Sequence, residues 1–320
     1  MQHLRTLAAL SVGAALALGA APLVAAPPAA AQGSGVFPGG IYRPTDTTAA
    51  RQASALAAKG DTKNAAVART IAAQPSSVWL GDGLSTSALR TTVTRHLTAA
   101  RAQGRTPVFV TYAIPGRDCG SYSAGGLTAG AYGTWNRVLA DTLRGHRAVV
   151  IVEPDALAQA TSCPGVVANT RYGLIRSAVQ QLSGAGATVY IDAGHEAWID
   201  ATTMAARLER AGVQDARGFS LNVSNYQLTS GERTYGERLR TLTGGNYVID
   251  VSRNGRGATG EWCNPTGAGL GADPKVAVAD TGLDALLWVK PPGESDGTCN
   301  GGPAAGQWFR TGAAALLRNR

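Results

Sequence analysis

Apolar positions fall into short, nearly continuous runs separated by stretches with helical spacing. Seven runs read as strands: Val78–Gly81, Pro107–Ile114, Ala148–Glu153, Thr188–Ala193, Gly218–Val223, Tyr247–Val251 and Ala285–Val289. Most are β-branched and lack polar alternation, the pattern of strands covered on both faces. Helices are predicted over Thr86–Gln103, where Leu89, Val93 and Leu97 share one face, and over Tyr132–Gly145, Asn169–Leu182, Glu196–Ala211, Glu232–Leu242 and Ala304–Leu317. This strand–helix alternation predicts an α/β fold with parallel strands, either closed or nearly closed into a barrel or opened into a doubly wound sheet.

In both architectures the C-terminal strand ends carry the site. Polar residues gather there: Asp82, Gly116-Arg117-Asp118, Pro154-Asp155, Gly194-His195, Ser224-Asn225, Ser252-Arg253 and the stretch from Lys290 to Asp296. Loops are polar anyway, but that does not explain four carboxylates and a lysine on one rim.

Composition adds an export context. His3 and Arg5 precede an Ala/Leu-rich run from Leu7 to about Leu18, and Ala29-Ala30-Ala31 forms a small-residue cleavage site. Residues 1–31 therefore read as a secretory signal peptide, and the protein is expected outside the cell. A retained membrane anchor is the rival reading; Pro22, Pro27 and Pro28 interrupt the stretch, and alanine drives insertion weakly. No other segment is apolar enough to span a bilayer, so no membrane association is expected after cleavage. Residues 32–47, rich in Gly, Pro and Thr, read as an extended lead, and 48–320 as a single domain without repeat, stalk or second module.

Net charge is +8, or +7 once Arg5 leaves with the signal. The basic residues are scattered, with no dense block interleaved with aromatics, so no nucleic-acid partner is expected. Four cysteines, Cys119, Cys163, Cys263 and Cys299, suggest two disulfides in an exported chain. Three connectivities are open. Sequential pairing is the simplest, each bridge closing a loop worth ~4 kcal/mol in the chain-entropy model. No C-x-x-C pair and no histidine at ligand spacing support a metal site, and no cofactor is implied.

Asp155 follows a very apolar strand in Val-Glu-Pro-Asp. Such surroundings raise a carboxyl pKa and suit a proton donor; the rival is an ordinary helix N-cap. The charge of Asp118, after the neighbouring strand, would keep the proton on Asp155. Glycosidic hydrolysis needs a second carboxyl, held ~6.5–9.5 Å from the first when configuration inverts. Asp296 is the candidate, a solvated turn aspartate its rival; Asp192 reads as a buried organiser. Trp79, Trp198, Trp262 and Tyr112 at strand ends offer flat faces with a polar edge for sugar rings, whereas Trp135, Trp288 and Trp308 read as core.

The motifs Tyr112-Ala-Ile-Pro-Gly-Arg-Asp118-Cys119-Gly, Val152-Glu-Pro-Asp155-Ala-Leu, Tyr190-Ile-Asp192-Ala-Gly-His195, Leu221-Asn222-Val-Ser-Asn225-Tyr226, Glu261-Trp262-Cys263-Asn264 and Val289-Lys290-Pro-Pro-Gly-Glu294-Ser-Asp296-Gly resemble, in that order, glycoside hydrolase family 6. The resemblance runs from about Val78 to the C-terminus. It implies a distorted seven-stranded β/α barrel, TIM-like, and single-displacement hydrolysis of β-1,4-glucan with inversion. By that resemblance Asp155 is the general acid, Asp118 the carboxylate that raises its pKa, Asp296 the base and Asp192 a supporting carboxylate. It likewise implies that Tyr112 favours a distorted sugar ring, that Trp79, Trp198 and Trp262 are stacking platforms, and that Lys290 and Glu294 bind hydroxyls. His195, Asn222 and Arg253 match polar positions near the cleft. The cysteines match the family's disulfides, 119–163 and 263–299. The serine that holds the attacking water aligns with Ala124, with Ser123 beside it.

Processive members roof the chain with long loops after the Arg-Asp-Cys motif and after the final Asp-Gly. Here both loops are short: only Thr298 separates Gly297 from Cys299. An open cleft and internal cutting by a monomer are expected. The alternatives are an exo-acting cellobiohydrolase and a glucan-binding protein without catalysis; a binder would need the aromatics but not the carboxylate set.

Overall fold

The computed structural model describes Met1 and residues 35–277 and 282–320. Apart from Met1, the predicted signal peptide lies outside the described residues, as does the start of the lead. In chain order the elements are α1 (Thr48–Ala58), α2 (Thr62–Ala72), β1 (Val78–Gly81), α3 (Thr86–Ala102), β2 (Val108–Tyr112), α4 (Ala129–Leu143), β3 (Val149–Val152), α5 (Ala168–Gly184), β4 (Thr188–Asp192), α6 (Ala201–Arg210), β5 (Gly218–Leu221), α7 (Thr229–Thr243), β6 (Asn246–Asp250), β7 (Lys275–Val276), β8 (Leu283–Leu287) and α8 (Arg310–Arg318).

β1 to β6 and then β8 lie side by side and parallel, as expected of strands joined by helices. Among the described residues the strand count is eight rather than seven. Two-residue β7 pairs antiparallel with β8, too short to leave a periodic signal. It covers the β8 edge at Ala285 and Leu286. β1 reaches that edge only further along, where the Ser77 N–H donates to the Trp288 carbonyl at 3.0 Å. The sheet thus curls into a barrel whose seam is nearly, not fully, closed.

Successive side chains of a strand point to opposite faces, and both faces here are apolar. Val108, Val110, Val149, Ile151, Tyr190, Val248, Ala285 and Leu287 form the interior cluster. Phe109, Val150, Val152, Val189, Ile191, Ile249 and Leu286 belong to a second cluster shared with the helices. Phe37 and Ile41 join the interior cluster, and Ile41 bridges Thr106 just before β2. The segment ahead of α1 therefore seals the N-terminal end of the barrel.

Helices α1 and α2 were not signalled by periodicity. They are alanine-rich, bury little beyond Ala49, Ala53, Ala65, Ala68 and Ile71, and start at Thr47 and Asp61, whose side chains accept backbone N–H groups. The sequence predicts α6 from Glu196, but it starts at Ala201 behind the cap Asp200, leaving 196–199 as a loop. The last helix is likewise shorter than expected. Cys119–Cys163 and Cys263–Cys299 are both formed, tying neighbouring loops together at the C-terminal rim.

Candidate active site

A cleft of about 510 Å³ opens at that rim. Trp79, Tyr112, Asp118, Ser121, Ser123, Asp155, His195, Trp198, Trp262, Lys290 and Asp296 all line it.

Buried carboxylates knit the rim before any chemistry is considered. Beyond the last ladder bond, backbone N–H groups at parallel strand ends need acceptors. Glu153 accepts from the Ala113 and Ile114 N–H groups, joining the ends of β2 and β3. Asp192 accepts from Asp155 N–H at 2.9 Å, from Gly194 N–H and from the Ser220 hydroxyl. Asp250 takes the N–H groups of Ser224, Ser252, Val289 and Lys290, gathering the ends of β5, β6 and β8.

On this frame Asp155 projects into the cleft with a left-handed backbone, φ 69°. No helix begins there, since α5 starts only at Ala168, so the N-cap reading falls away. Asp118 and Cys119 also have positive φ, at 57° and 48°. Strained non-glycine residues concentrated at one rim are a signature of functional sites. Burial, and then the charges of Asp192, Asp118 and Asp296, hold the Asp155 carboxyl well above the usual range; Lys290 opposes them. Burial raises Asp192 as well. Its three donors favour its ionised form, so the proton shared by this pair resides on Asp155.

The Asp118 loop is fixed by Arg117. Its guanidinium pairs with Asp82 at 2.6 Å, donates to the Tyr112 and Ser123 carbonyls and lies over the Tyr112 ring. Asp118 accepts the Ser123 N–H at 2.7 Å. Burial nevertheless raises its pKa, with Ser123 and Arg117 in opposition. Gly126 is required at the loop's end, because a Cβ there would collide with the Ile114 carbonyl. Of the two positions considered for holding water, Ser123 faces the cleft, together with Ser121. Between them Tyr122 leans onto Gly297 and lies 6.0 Å from the Trp262 ring.

Asp296 is in a different electrostatic state. Arg253 donates to both its oxygens at 2.9 and 2.8 Å, Tyr226 OH and Asn264 N–H each at 3.0 Å, and Lys290 Nζ stands 3.8 Å away. Burial works against its charge, but Arg253 and Lys290 outweigh it and hold its pKa below the ordinary value. Burial pushes His195 down to about 4, leaving a neutral imidazole beside Trp198.

Trp198 and Trp262 are 36% and 53% exposed, unusual for indoles and suited to stacking. Trp79 sits at the barrel seam, its Nε1–H bonded to the Val289 carbonyl and its ring edge-on to Tyr112. Trp135 and Trp288 are core, as expected. Three predicted substrate contacts do not line the cleft. Asn222 is fully buried, donating to the Gln227 and Asp250 carbonyls. Arg253, 3% exposed, is committed to Asp296 and the Ser224 carbonyl. Glu294 turns toward α1, where Thr48 bonds its carboxyl.

A family model described as glycosyl hydrolases family 6 matches residues 40–320. The chain belongs to that family. This family 6 chain is similar to Endoglucanase A of Cellulomonas fimi, 48% identical over 265 residues that make up 82% of this chain and 58% of that protein. It therefore spans less than two thirds of that relative. It is similar to Endoglucanase 1 of Streptomyces halstedii at 39% identity, over 84% of this chain and 86% of that one. Among solved structures, the endoglucanase Cel6 of Mycobacterium tuberculosis, in complex with a methyl-cellobiosyl-4-deoxy-4-thio-β-D-cellobioside, superposes with a TM-score of 0.81 at 43% identity. That match covers 87% of this chain and 96% of that one.

Several residues that line or support this family 6 cleft carry no signal of their own in the sequence. Glu153 and Asp250 were passed over because a buried N–H acceptor looks like any strand-end acid. Gln159, which bonds Asp118 and lines the cleft, lies in a loop without periodicity. Tyr226, the last residue of the Leu221–Tyr226 motif, steadies Asp296 from beneath the Arg253 guanidinium, 4.4 Å from its ring.

Proposed function

We propose that the chain is a secreted endo-β-1,4-glucanase that hydrolyses cellulose or a related β-glucan with inversion. The observation that carries the reading is Asp155: a carboxyl whose pKa burial and three neighbouring carboxylates push well up, in a cleft flanked by exposed tryptophans. A proton donor with that environment is matched to a leaving glycosidic oxygen.

In this reading the glucan lies along Trp79, Trp198 and Trp262, with its scissile oxygen at Asp155. Asp155 gives that oxygen its proton as the bond to the anomeric carbon breaks. A water held near Ser123 and Asp118 attacks the opposite face of the sugar, which inverts configuration. Asp118 keeps the acid protonated, Asp192 fixes its backbone, and Tyr112 packs against the reacting ring. Asp296 accepts the water's proton. Its cationic partners keep it ionised but make it a weak base, so its contribution is expected at the low end of the ~10²–10⁴-fold typical of acid–base groups. Lys290 binds hydroxyls at the cleft wall. The names of the relatives support the substrate class, and the short loops beside the cleft support internal cutting.

Viscosity followed against new reducing ends during digestion of carboxymethyl cellulose tests the proposal. Internal cutting predicts a steep viscosity fall with few new ends. Reducing ends with little viscosity loss would establish exo action instead, and no change in either would overturn hydrolysis of this polymer.

A further inference from the structure

The Trp198 platform stands on a loop, not on a helix, yet a stacking surface must be rigid to bind without paying for its own ordering. Two hydrogen bonds tie the loop to α7, outside the cleft. Glu232, in the first turn of α7, is fully buried, and its Oε1 accepts the Glu196 N–H at 3.0 Å. One turn on, the Tyr235 hydroxyl donates to the Ile199 carbonyl at 2.7 Å. Positions i and i+3 share one helix face, so one face of α7 holds both ends of the 196–199 turn that carries Trp198. The exposed Glu196 carboxylate lies against Gly231. Within the turn, Trp198 N–H bonds the His195 carbonyl at 3.0 Å, and the indole leans on Gly194.

The second Glu232 oxygen has no partner among the described residues. A buried acid tolerated with one oxygen unpaired is costly for stability alone, and its one bond goes to the platform loop. We propose that Glu232 and Tyr235 are positioning residues that hold the Trp198 platform and thereby set how tightly the cleft grips a sugar ring there. The inference rests on the reading of Trp198 as a glucan-stacking surface. Burial, with the neighbouring charges of Glu196 and Asp192 adding to it and the Glu196 N–H opposing it, pushes Glu232 up to about 8, so it is a neutral acceptor at the pH of the assay below.

Steady-state kinetics on a soluble cello-oligosaccharide at pH 6 test the proposal, with Tyr235→Phe, Glu232→Ala, Glu232→Gln, Trp198→Ala and the double variant Glu232→Ala/Trp198→Ala. Tyr235→Phe keeps the buried ring and removes only the bond to Ile199, so it reports even if Glu232→Ala folds poorly. Losing either bond should raise KM about three- to tenfold and leave kcat within about twofold. Glu232→Gln retains the acceptor and should bring KM back toward the parent value. Once Trp198 is gone, Glu232→Ala should add nothing further to KM. A lowered Tm with unchanged KM in both Tyr235→Phe and Glu232→Ala would reduce the pair to fold support and overturn the proposal. Effects of Glu232→Ala and Trp198→Ala that multiply in the double variant would overturn it too, leaving the platform intact. An unchanged KM in Trp198→Ala would refute the platform reading itself, and the positioning role with it.

Discussion

Replacing Arg253 with methionine tests the electrostatic account of Asp296. The variant keeps most of the side-chain volume and removes the charge that touches both Asp296 oxygens at 2.9 and 2.8 Å. Both partners are nearly inaccessible, with side-chain exposures of 3% and 6%, so water cannot replace the lost cation. Breaking one side of such a pair costs about 3–5 kcal/mol. At roughly 0.6 kcal/mol per degree for a domain of this size, Tm at pH 7 should fall by about 5–8 °C. The pH dependence gives the sharper test. A depressed carboxylate pKa contributes stability that is present above the unfolded value and lost as pH falls through the folded one. The gap between parent and variant should therefore be widest near neutrality and narrow as pH falls, first as Asp296 protonates in the variant and then, below the ordinary carboxyl value, as it protonates in the parent. Activity should respond in the same sense: with burial no longer opposed by Arg253, Asp296 ionises at higher pH and the acid limb of kcat moves up. Calorimetry across pH 3–8 decides it. A Tm loss below about 2 °C at pH 7, or a gap that does not narrow in acid, would refute a strongly coupled pair.

Three other outcomes follow from the same site. Asp155→Ala should lose at least about a thousandfold in rate on cellulose but far less on an aryl cellobioside whose leaving group needs no proton, as compared by kcat/KM on the two substrates. Asp118→Asn removes a negative neighbour, so the Asp155 pKa falls and the alkaline limb of the kcat profile should shift to lower pH; an unmoved limb would detach Asp118 from the acid. Trp262→Ala should weaken cello-oligosaccharide binding by about tenfold in titration calorimetry, since a stacked ring contributes of the order of 1–2 kcal/mol.

The parallel barrel was legible because strands covered on both faces leave unbroken apolar runs, and the site because polar residues recur after each run. What escaped had no such signature. β7 is two residues long, and α1 and α2 bury mostly alanine, which scarcely marks a face. The start of α6 was misplaced because Glu196–Ile199 continues the helical pattern, while Asp200 accepts the Thr203 N–H and starts the helix there. Asn222 and Arg253 were read as substrate contacts because strand-end polarity does not reveal which way a side chain turns. Both turn inward, Asn222 to backbone and Arg253 to Asp296. The same ambiguity hid Glu232, a buried acid in what reads as a solvated first helical turn.

The rim carboxylates sort by what donates to them, and the sorting yields a last prediction. Asp250 and Glu153 are held by backbone N–H groups, and Asp296 by cations. The Asp155 carboxyl takes no hydrogen bond from the described residues while three carboxylates face it, so it keeps its proton in the folded state and loses it on unfolding. Between the unfolded and folded pKa values such a group destabilises the fold by about 1.4 kcal/mol per pH unit, because the native state alone binds the proton. Asparagine is close in shape, cannot ionise and adopts left-handed backbone readily. Asp155→Asn should therefore melt within a degree or so of the parent near pH 4 and gain on it with rising pH, by about 2 °C per pH unit on the same 0.6 kcal/mol per degree until the folded pKa is reached. Catalysis would be lost in the same variant, the usual exchange of function for stability at an active site. Differential scanning calorimetry at pH 4, 5 and 6 measures the trend. A difference that stays flat or reverses would mean that Asp155 is ionised in the folded protein, and the proton donor would have to be sought elsewhere on the rim.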